Sequence, residues 1–406
     1  MTRKLGYLVP QFPGQTHIFF WREIAALEAR GVEVHLFSTR PPPPGLIAHD
    51  WSEAAMARTT YLGRADVMAG LAALPRLPYA DLLREGGAGR DILMAIPAAQ
   101  RLIRDCRARG IAHVHVHSCG RAALLAAIAK RMGGPDYSLT LHGPLSDYGP
   151  AQGFKWRNAA FASIITEKLR AEMQADLPGD LPARLMIQPM GVDTDMLAPA
   201  GPYLPVQPGA PLRLFSCGRL NIVKGHQDLM AATRLLLDQG RDVQLAIAGE
   251  DDAGGTGYRQ PLAARIAELG LQDNVRLLGA IDAESVKAHI QAAHIFALAS
   301  WHEPLGVALM EAMACGIPTI GTDAGGVPEL IRDGIDGVLV PPKDPATLAA
   351  TIAALADDPD RARALAVAGR ARIVERFHSA RGAEMLIGAI WGTDGQGGHS
   401  AATSSA

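Results

Sequence analysis

Short apolar runs rich in Val, Ile and Leu recur from one end of this chain almost to the other. Each is followed by a longer stretch whose apolar residues recur at helical spacing. Strands that read as continuous apolar runs are buried on both faces, which is the pattern of parallel sheets covered by helices on either side. In the first half such runs fall at Leu5–Val9, Val32–Phe37, Ala112–His117, Tyr137–Leu141, Ser163–Thr166 and Leu185–Gln188. The rhythm repeats at Leu212–Cys217, Val243–Ala248, Val275–Leu278, Ile295–Leu298, Thr319–Gly321 and Val338–Val340. A chain of 406 residues exceeds one ordinary core, so two domains are expected. The break falls where Pro189-Met190-Gly191-Val192-Asp193 ends a strand and the segment from Pro199 to Pro211 is crowded with chain breakers. The expectation is α/β: two doubly wound, Rossmann-like domains over residues 1–195 and 196–391, with a disordered tail over 392–406 that is rich in Gly, Ser and Thr. Sheets of this kind bind ligands beyond the carboxyl ends of their strands, so the cleft between the domains is where substrates belong.

Composition narrows the class. Apolar content of 48% with 20% charged residues describes a soluble enzyme, and no apolar run approaches the roughly 20 residues of a membrane span. Met1-Thr2-Arg3-Lys4 leads straight into a strand rather than a signal-peptide core. Cys106, Cys119, Cys217 and Cys315 are scattered without metal-ligand or disulfide spacing, which fits a reducing cytoplasm. The net charge of −2 hides an asymmetry: residues 1–195 carry 22 Lys and Arg against 18 Asp and Glu, and the remainder 17 against 23. Arg58, Arg64, Arg76, Arg84, Arg90, Arg101, Arg104, Arg107 and Arg109 are interleaved with Leu, Ile, Met and Pro. That texture suits peripheral contact with an anionic membrane, and equally the solvated face of ordinary helices. No aromatic-basic platform accompanies the charge, so nucleic acid is not an expected partner. Pro41-Pro42-Pro43-Pro44 reads as a stiff loop after a strand.

The residues that suggest chemistry cluster after strand ends. Glu303 and Glu311 stand in Glu303-Pro304-Leu305-Gly306-Val307-Ala308-Leu309-Met310-Glu311, a stretch that runs on apolar through Ala312-Met313-Ala314-Cys315-Gly316. Pro304 suits the first turn of a helix and Gly316 its end, which puts Glu303 at the carboxyl end of a strand and Glu311 inside the helix. A carboxylate on so apolar a helix is costly to bury without a partner. Gly306 and Val307 fall at the helix start, where free N–H groups favour an anion. Gly218-Arg219 and Lys224-Gly225 put two cations past another strand end, a combination that suits a diphosphate. In the first half His142-Gly143 closes a strand, and His113, His115 and His117 alternate along another, sharing a face at steps of about 6.6 Å. The triplet by itself admits a metal site. The loop Gly14-Gln15-Thr16 precedes an amphipathic helix over Ile18–Arg30, where Gln15 and Thr16 could cap it.

The Glu303-x7-Glu311 element, with Gly218-Arg219-Leu220 and Lys224-Gly225 before it, resembles the donor site of the retaining family 4 glycosyltransferases, among them those of bacterial exopolysaccharides and cell-surface glycans. The resemblance implies a GT-B fold, in which the first domain binds the acceptor, the second binds a nucleoside-diphosphate sugar, and the last helix packs back on the first domain. It implies that Arg219 and Lys224 grip the diphosphate, that Glu311 holds the ribose and Glu303 the transferred sugar, and that the base is read at Leu278-Gly279, largely through backbone groups. It also implies that His142 faces the reacting sugar and that His117, Gly14, Gln15 and Thr16 border the acceptor or the loop beside it. Gly325-Gly326-Val327-Pro328-Glu329 resembles a loop of the same region, and reads by itself as a turn opening a helix. Many family members carry paired glycines where this chain has only Gly14. Asp193-Thr194-Asp195 lies in the linker rather than after a strand, so no metal or other cofactor is expected. The expected activity is retaining, metal-independent hexosyl transfer to a glycan or lipid-linked acceptor, in the cytoplasm or at the inner face of the membrane. A nucleotide-sugar epimerase of the same fold and a non-catalytic sugar-nucleotide sensor are the rival readings.

Overall fold

The computed structural model describes residues 2–14, 17–42, 51–63, 75, 77–83 and 88–392. Two all-parallel sheets organise it. The first is built from β1 (Arg3–Gln11), β2 (Val32–Arg40), β3 (Thr59–Tyr61), β4 (His113–His117), β5 (Asp136–Leu141), β6 (Phe161–Ile164) and β7 (Leu185–Ile187), in the order β3-β2-β1-β4-β5-β6-β7. The second holds β8 (Leu212–Cys217), β9 (Val243–Ala248), β10 (Val275–Gly279), β11 (Ile295–Ala297), β12 (Thr319–Thr322) and β13 (Val338–Val340), in the order β10-β9-β8-β11-β12-β13. In both, the order reverses beside the first strand of the domain, which is where an α/β sheet opens a crevice at its carboxyl edge.

The apolar runs account for these strands. All five residues of β4 are buried, histidines included, and Leu5, Tyr7, Leu8 and Val9 of β1 are buried on both faces by helices. The helix Arg121–Arg131 buries an unbroken run from Ala122 to Ala129, where small side chains allow close approach to the neighbouring helix Gly89–Arg109. One strand lacked a sequence signal: β3 is a three-residue Thr-Thr-Tyr edge inside the Arg-rich stretch. Arg64, Arg76, Arg84, Pro43, Pro44 and the tail from 393 lie outside the described residues.

Between the sheets the chain runs without a strand or helix over 199–211 and begins β8 at Leu212. It then returns. Val192 donates its N–H to Phe377 O at 2.8 Å and accepts from Ser379 N at 2.9 Å, after which the helix Ala380–Trp391 packs Ala383 and Leu386 into the cluster of Ile24 and Leu27. Glu329 of the second domain supplies a further tie. Its carboxylate accepts from Glu167 N at 2.7 Å and Lys168 N at 2.9 Å, capping the first-domain helix Glu167–Asp176 across the domain boundary.

Candidate active site

A cleft of about 720 Å³ lies between the domains. Its lining follows the topology: Val9 to Gln11 end β1, Ser118 and His142 follow β4 and β5, Cys217 to Arg219 follow β8, Gly249 and Glu250 follow β9, and Ala280 follows β10. Two carboxyl edges therefore border one hollow, and most of the side chains that sequence reasoning singled out line it, from both sides.

On the second-domain wall, Lys224 ends a short 3-10 turn, Ile222–Lys224, whose start is fixed by Asn221 Oδ1 accepting from Lys224 N at 3.2 Å. The Lys224 ammonium pairs with Glu303 Oε2, and Ser300 Oγ donates to the same oxygen at 3.2 Å. Glu303 is 8% exposed. It stands in a loop six residues past Ala297, the last residue of β11, and the helix begins only at Val307, so Pro304 belongs to the loop rather than to the first helical turn. The Gly325-Gly326 turn supports this loop. Gly326 N donates to Glu303 O at 2.9 Å, and Gly325, at φ +65°, packs so closely that a Cβ there would lie 2.0 Å from the same oxygen. What reads in sequence as a helix-opening turn is also the seat of the Glu303 loop.

Gly306, at φ +100°, caps the helix Val307–Ala314, and both Gly306 and Val307 line the cleft at the helix N-terminus. The helix turns Leu309, Met310, Ala312 and Met313 into the core, which leaves Glu311 on the cleft side. There Glu311 Oε1 meets Arg22 Nη1 of the first domain at 2.9 Å. Arg219 is looser: its guanidinium is 46% exposed and 3.8 Å from Asp252, a contact of little energy that leaves the cation available. Gly218 lines the cleft, while Leu278 does not, because its side chain packs against the core; Ala280 and Ile281 form the wall at that point.

On the first-domain wall, the His142 ring packs against Phe19 and Phe20 at 5.5 and 5.6 Å between centroids. His117 does not line the cleft. It lies behind His142, with Nδ1 3.0 Å from His142 Nε2, and its own Nε2 is 3.0 Å from Glu23 Oε2. Tyr7 OH donates to that carboxylate oxygen at 2.7 Å. Burial dominates the titration of this group: His117 and His142 are pushed down to about 3, and Glu23 is raised. Gly14 lines the cleft, and Gln15 and Thr16 lie outside the described residues.

The histidine triplet does share a face. His113 Nε2 and His115 Nδ1 each lie 2.8 Å from Ser138 Oγ, and His115 Nε2 is 2.9 Å from Thr140 Oγ1. Among the described residues Glu23, His115 and His117 bring ligand-type atoms within 4.8 Å of one another. Both ring nitrogens of His115 are taken by hydroxyls, so a metal there would have to break one of those bonds. Asp193-Thr194-Asp195 is a turn, in which Asp193 Oδ1 accepts from Asp195 N and Met196 N, each at 3.0 Å.

Sequence reasoning did not single out Arg22 and Glu23. They are adjacent charges on an amphipathic helix that also carries Glu28, and nothing in their spacing shows that Arg22 lines the cleft or that Glu23 stands behind His117.

Comparison with known proteins adds a separate line of evidence. Residues 17–175 match the family described as a glycosyl transferase 4-like domain, and residues 206–372 match glycosyl transferases group 1. The chain is 29% identical over 330 residues to an alpha-maltose-1-phosphate synthase of Mycolicibacterium smegmatis, covering 73% of this chain and 82% of that protein. It is 34% identical over 174 residues to the amylovoran biosynthesis glycosyltransferase AmsK of Erwinia amylovora, covering 41% of this chain and 42% of that one. In fold it is similar to Anabaena HepE in complex with UDP and glucose, with a TM-score of 0.72 over 95% of this chain and 98% of that chain at 18% identity.

Proposed function

This chain belongs to the family 4 glycosyltransferases of the GT-B fold, and from that premise we propose that it moves a hexose from a nucleoside-diphosphate sugar to a glycan or lipid-linked acceptor with retention at the anomeric carbon. One observation carries the reading. Lys224, Arg219, Glu303 and Glu311 converge from the carboxyl edge of one sheet on a cleft that His142 borders from the other. In the proposed reaction the bond from the anomeric carbon to the leaving phosphate oxygen breaks, and the acceptor oxygen bonds the same carbon on the same face. The acceptor's proton passes to the departing phosphate. Arg219, Lys224 and the N–H groups at Gly306 and Val307 neutralise that phosphate, and fixed charges in a partly dry cleft do so with little reorganisation. Glu311 accepts from the ribose hydroxyls and Glu303 from the transferred sugar. None of these steps calls for a divalent ion, so activity is expected to persist in EDTA.

The similarity to AmsK, which acts in amylovoran biosynthesis, supports a surface-polysaccharide acceptor. Among the described residues no helix is long and apolar enough to cross a membrane. The helix Gly89–Arg109 nevertheless exposes Arg90, Arg104, Arg107 and Arg109 together with Leu93 and Met94, a surface suited to peripheral contact with an anionic leaflet. Thermal-shift screening against UDP-, GDP- and ADP-sugars identifies the donor, because binding stabilises the folded state by mass action. Transfer assays with that donor then give the anomeric configuration by NMR. An inverted product, or donor interconversion without acceptor, sinks the reading. Flotation with anionic vesicles tests the membrane contact.

A further inference from the structure

A line of buried polar groups leads away from the cleft, from His142 of the cleft wall through His117 and Glu23 to Tyr7, and the His142 ring leaves one buried nitrogen without a partner. His142 Nδ1 has no hydrogen-bond partner among the described residues, while His142 Nε2 lies 3.0 Å from His117 Nδ1. Only one proton can occupy that last contact, so the tautomers of the two rings are coupled.

Glu23 decides which tautomer it is. His117 Nε2 stands 3.0 Å from Glu23 Oε2, off the line of a good hydrogen bond yet too close for two facing lone pairs. A proton on His117 Nε2 turns that repulsion into attraction. It leaves His117 Nδ1 bare, so His142 Nε2 must carry its ring proton, and His142 Nδ1 is then a pure acceptor. Tyr7 OH, donating to the same carboxylate oxygen, holds it in place and favours its ionised form. Burial keeps both rings neutral, each with a single N–H, which is the condition for this logic to hold.

We propose that Glu23 and His117 are positioning residues that fix His142 as the Nε2–H tautomer, so that a hydroxyl of the transferred sugar that reaches the His142 ring at Nδ1 meets an acceptor. The inference rests on the function proposed above for its sugar hydroxyl, but not for the tautomer itself. The remaining histidines of β4 do not belong to the line, because His113 and His115 are held by Ser138 and Thr140.

The test is long-range proton–nitrogen NMR on the full chain labelled in histidine, with the His142 signals identified by their loss in His142→Gln. In the wild-type protein without ligand, His142 is expected to be almost wholly protonated on Nε2. Glu23→Gln, which keeps the size and removes the charge, is expected to give a mixture of tautomers. With whichever of the UDP-, GDP- or ADP-sugars is turned over, it should lower kcat about tenfold or more and leave the donor KM within about twofold. A wild-type His142 protonated on Nδ1 overturns the proposal, as does an unchanged tautomer ratio in Glu23→Gln, or stoichiometric zinc in the purified protein bound through Glu23, His115 and His117. If Glu23→Gln does not fold, the wild-type spectrum and that of Tyr7→Phe decide the matter. If no sugar nucleotide is turned over, the proposed function fails, while the NMR result still tests the coupling of the rings.

Discussion

Arg22 of the first domain and Glu311 of the second form an ion pair across the cleft, Nη1 to Oε1 at 2.9 Å, with the two side chains only 11% and 13% exposed. The carboxylate proposed to accept from the ribose is therefore paired with the opposite wall. A donor that takes up Glu311 must replace this contact.

Arg22→Ala removes the competitor for Glu311 and also leaves a largely buried carboxylate unpaired. The expected outcome is a loss of about 1–3 kcal/mol in stability together with donor binding tighter by a few-fold. Calorimetric titration with the cognate sugar nucleotide checks the second part, and affinity equal to or weaker than wild type would count against a competing role for Arg22.

Lys224→Ala and Glu311→Ala should each lower transfer by roughly a hundredfold or more with the far-UV circular dichroism unchanged, since fixed charges aimed at a leaving group commonly contribute that much. Wild-type turnover by either variant would remove that residue from the site.

Gly325→Ala puts a methyl group 2.0 Å from Glu303 O at a backbone φ of +65°. Strain of about 1–3 kcal/mol is expected, with transfer falling because the Glu303 loop loses its seat. A native melting temperature combined with full activity contradicts that support role.

Stability should fall on mild acidification. Burial holds His117 at about 3 and His113 and His226 at about 4, below the 6.5 of an exposed ring. The unfolded chain therefore binds more protons, so this contribution is complete above about pH 6.5 and is lost as the pH drops toward the folded values. Each such ring removes about 1.4 kcal/mol per pH unit in that window. Glu23, raised by burial, acts with the opposite sign. Urea midpoints measured between pH 7 and pH 5 test the slope; a flat profile would falsify the neutral, buried assignment of these rings.

The twelve apolar runs visible in the chain all became strands, because burial on both faces demands continuous apolar sequence and that demand is local. The edge strand Thr59–Tyr61 escaped notice because three residues at a sheet margin need no such run. Arg219, Lys224, Glu303, Gly306 and Glu311 line the cleft for a related reason: each lies in the loop or helix that follows a strand, and the topology delivers strand ends to the cleft. At Leu278 the side chain turned to the core, which its neighbours decided and which leaves the backbone as the part that can face a base there.

Sequence alone thus determined two parallel sheets and placed cations and carboxylates after their strands, all properties of patterns that span a few residues. Only the tertiary structure decided that Arg22 meets Glu311, that Gly325 carries the loop of Glu303, and that Glu23 stands behind His117. Those contacts join residues up to 289 positions apart, and no local preference of the chain encodes the meeting of charges that packing alone brings within 3 Å.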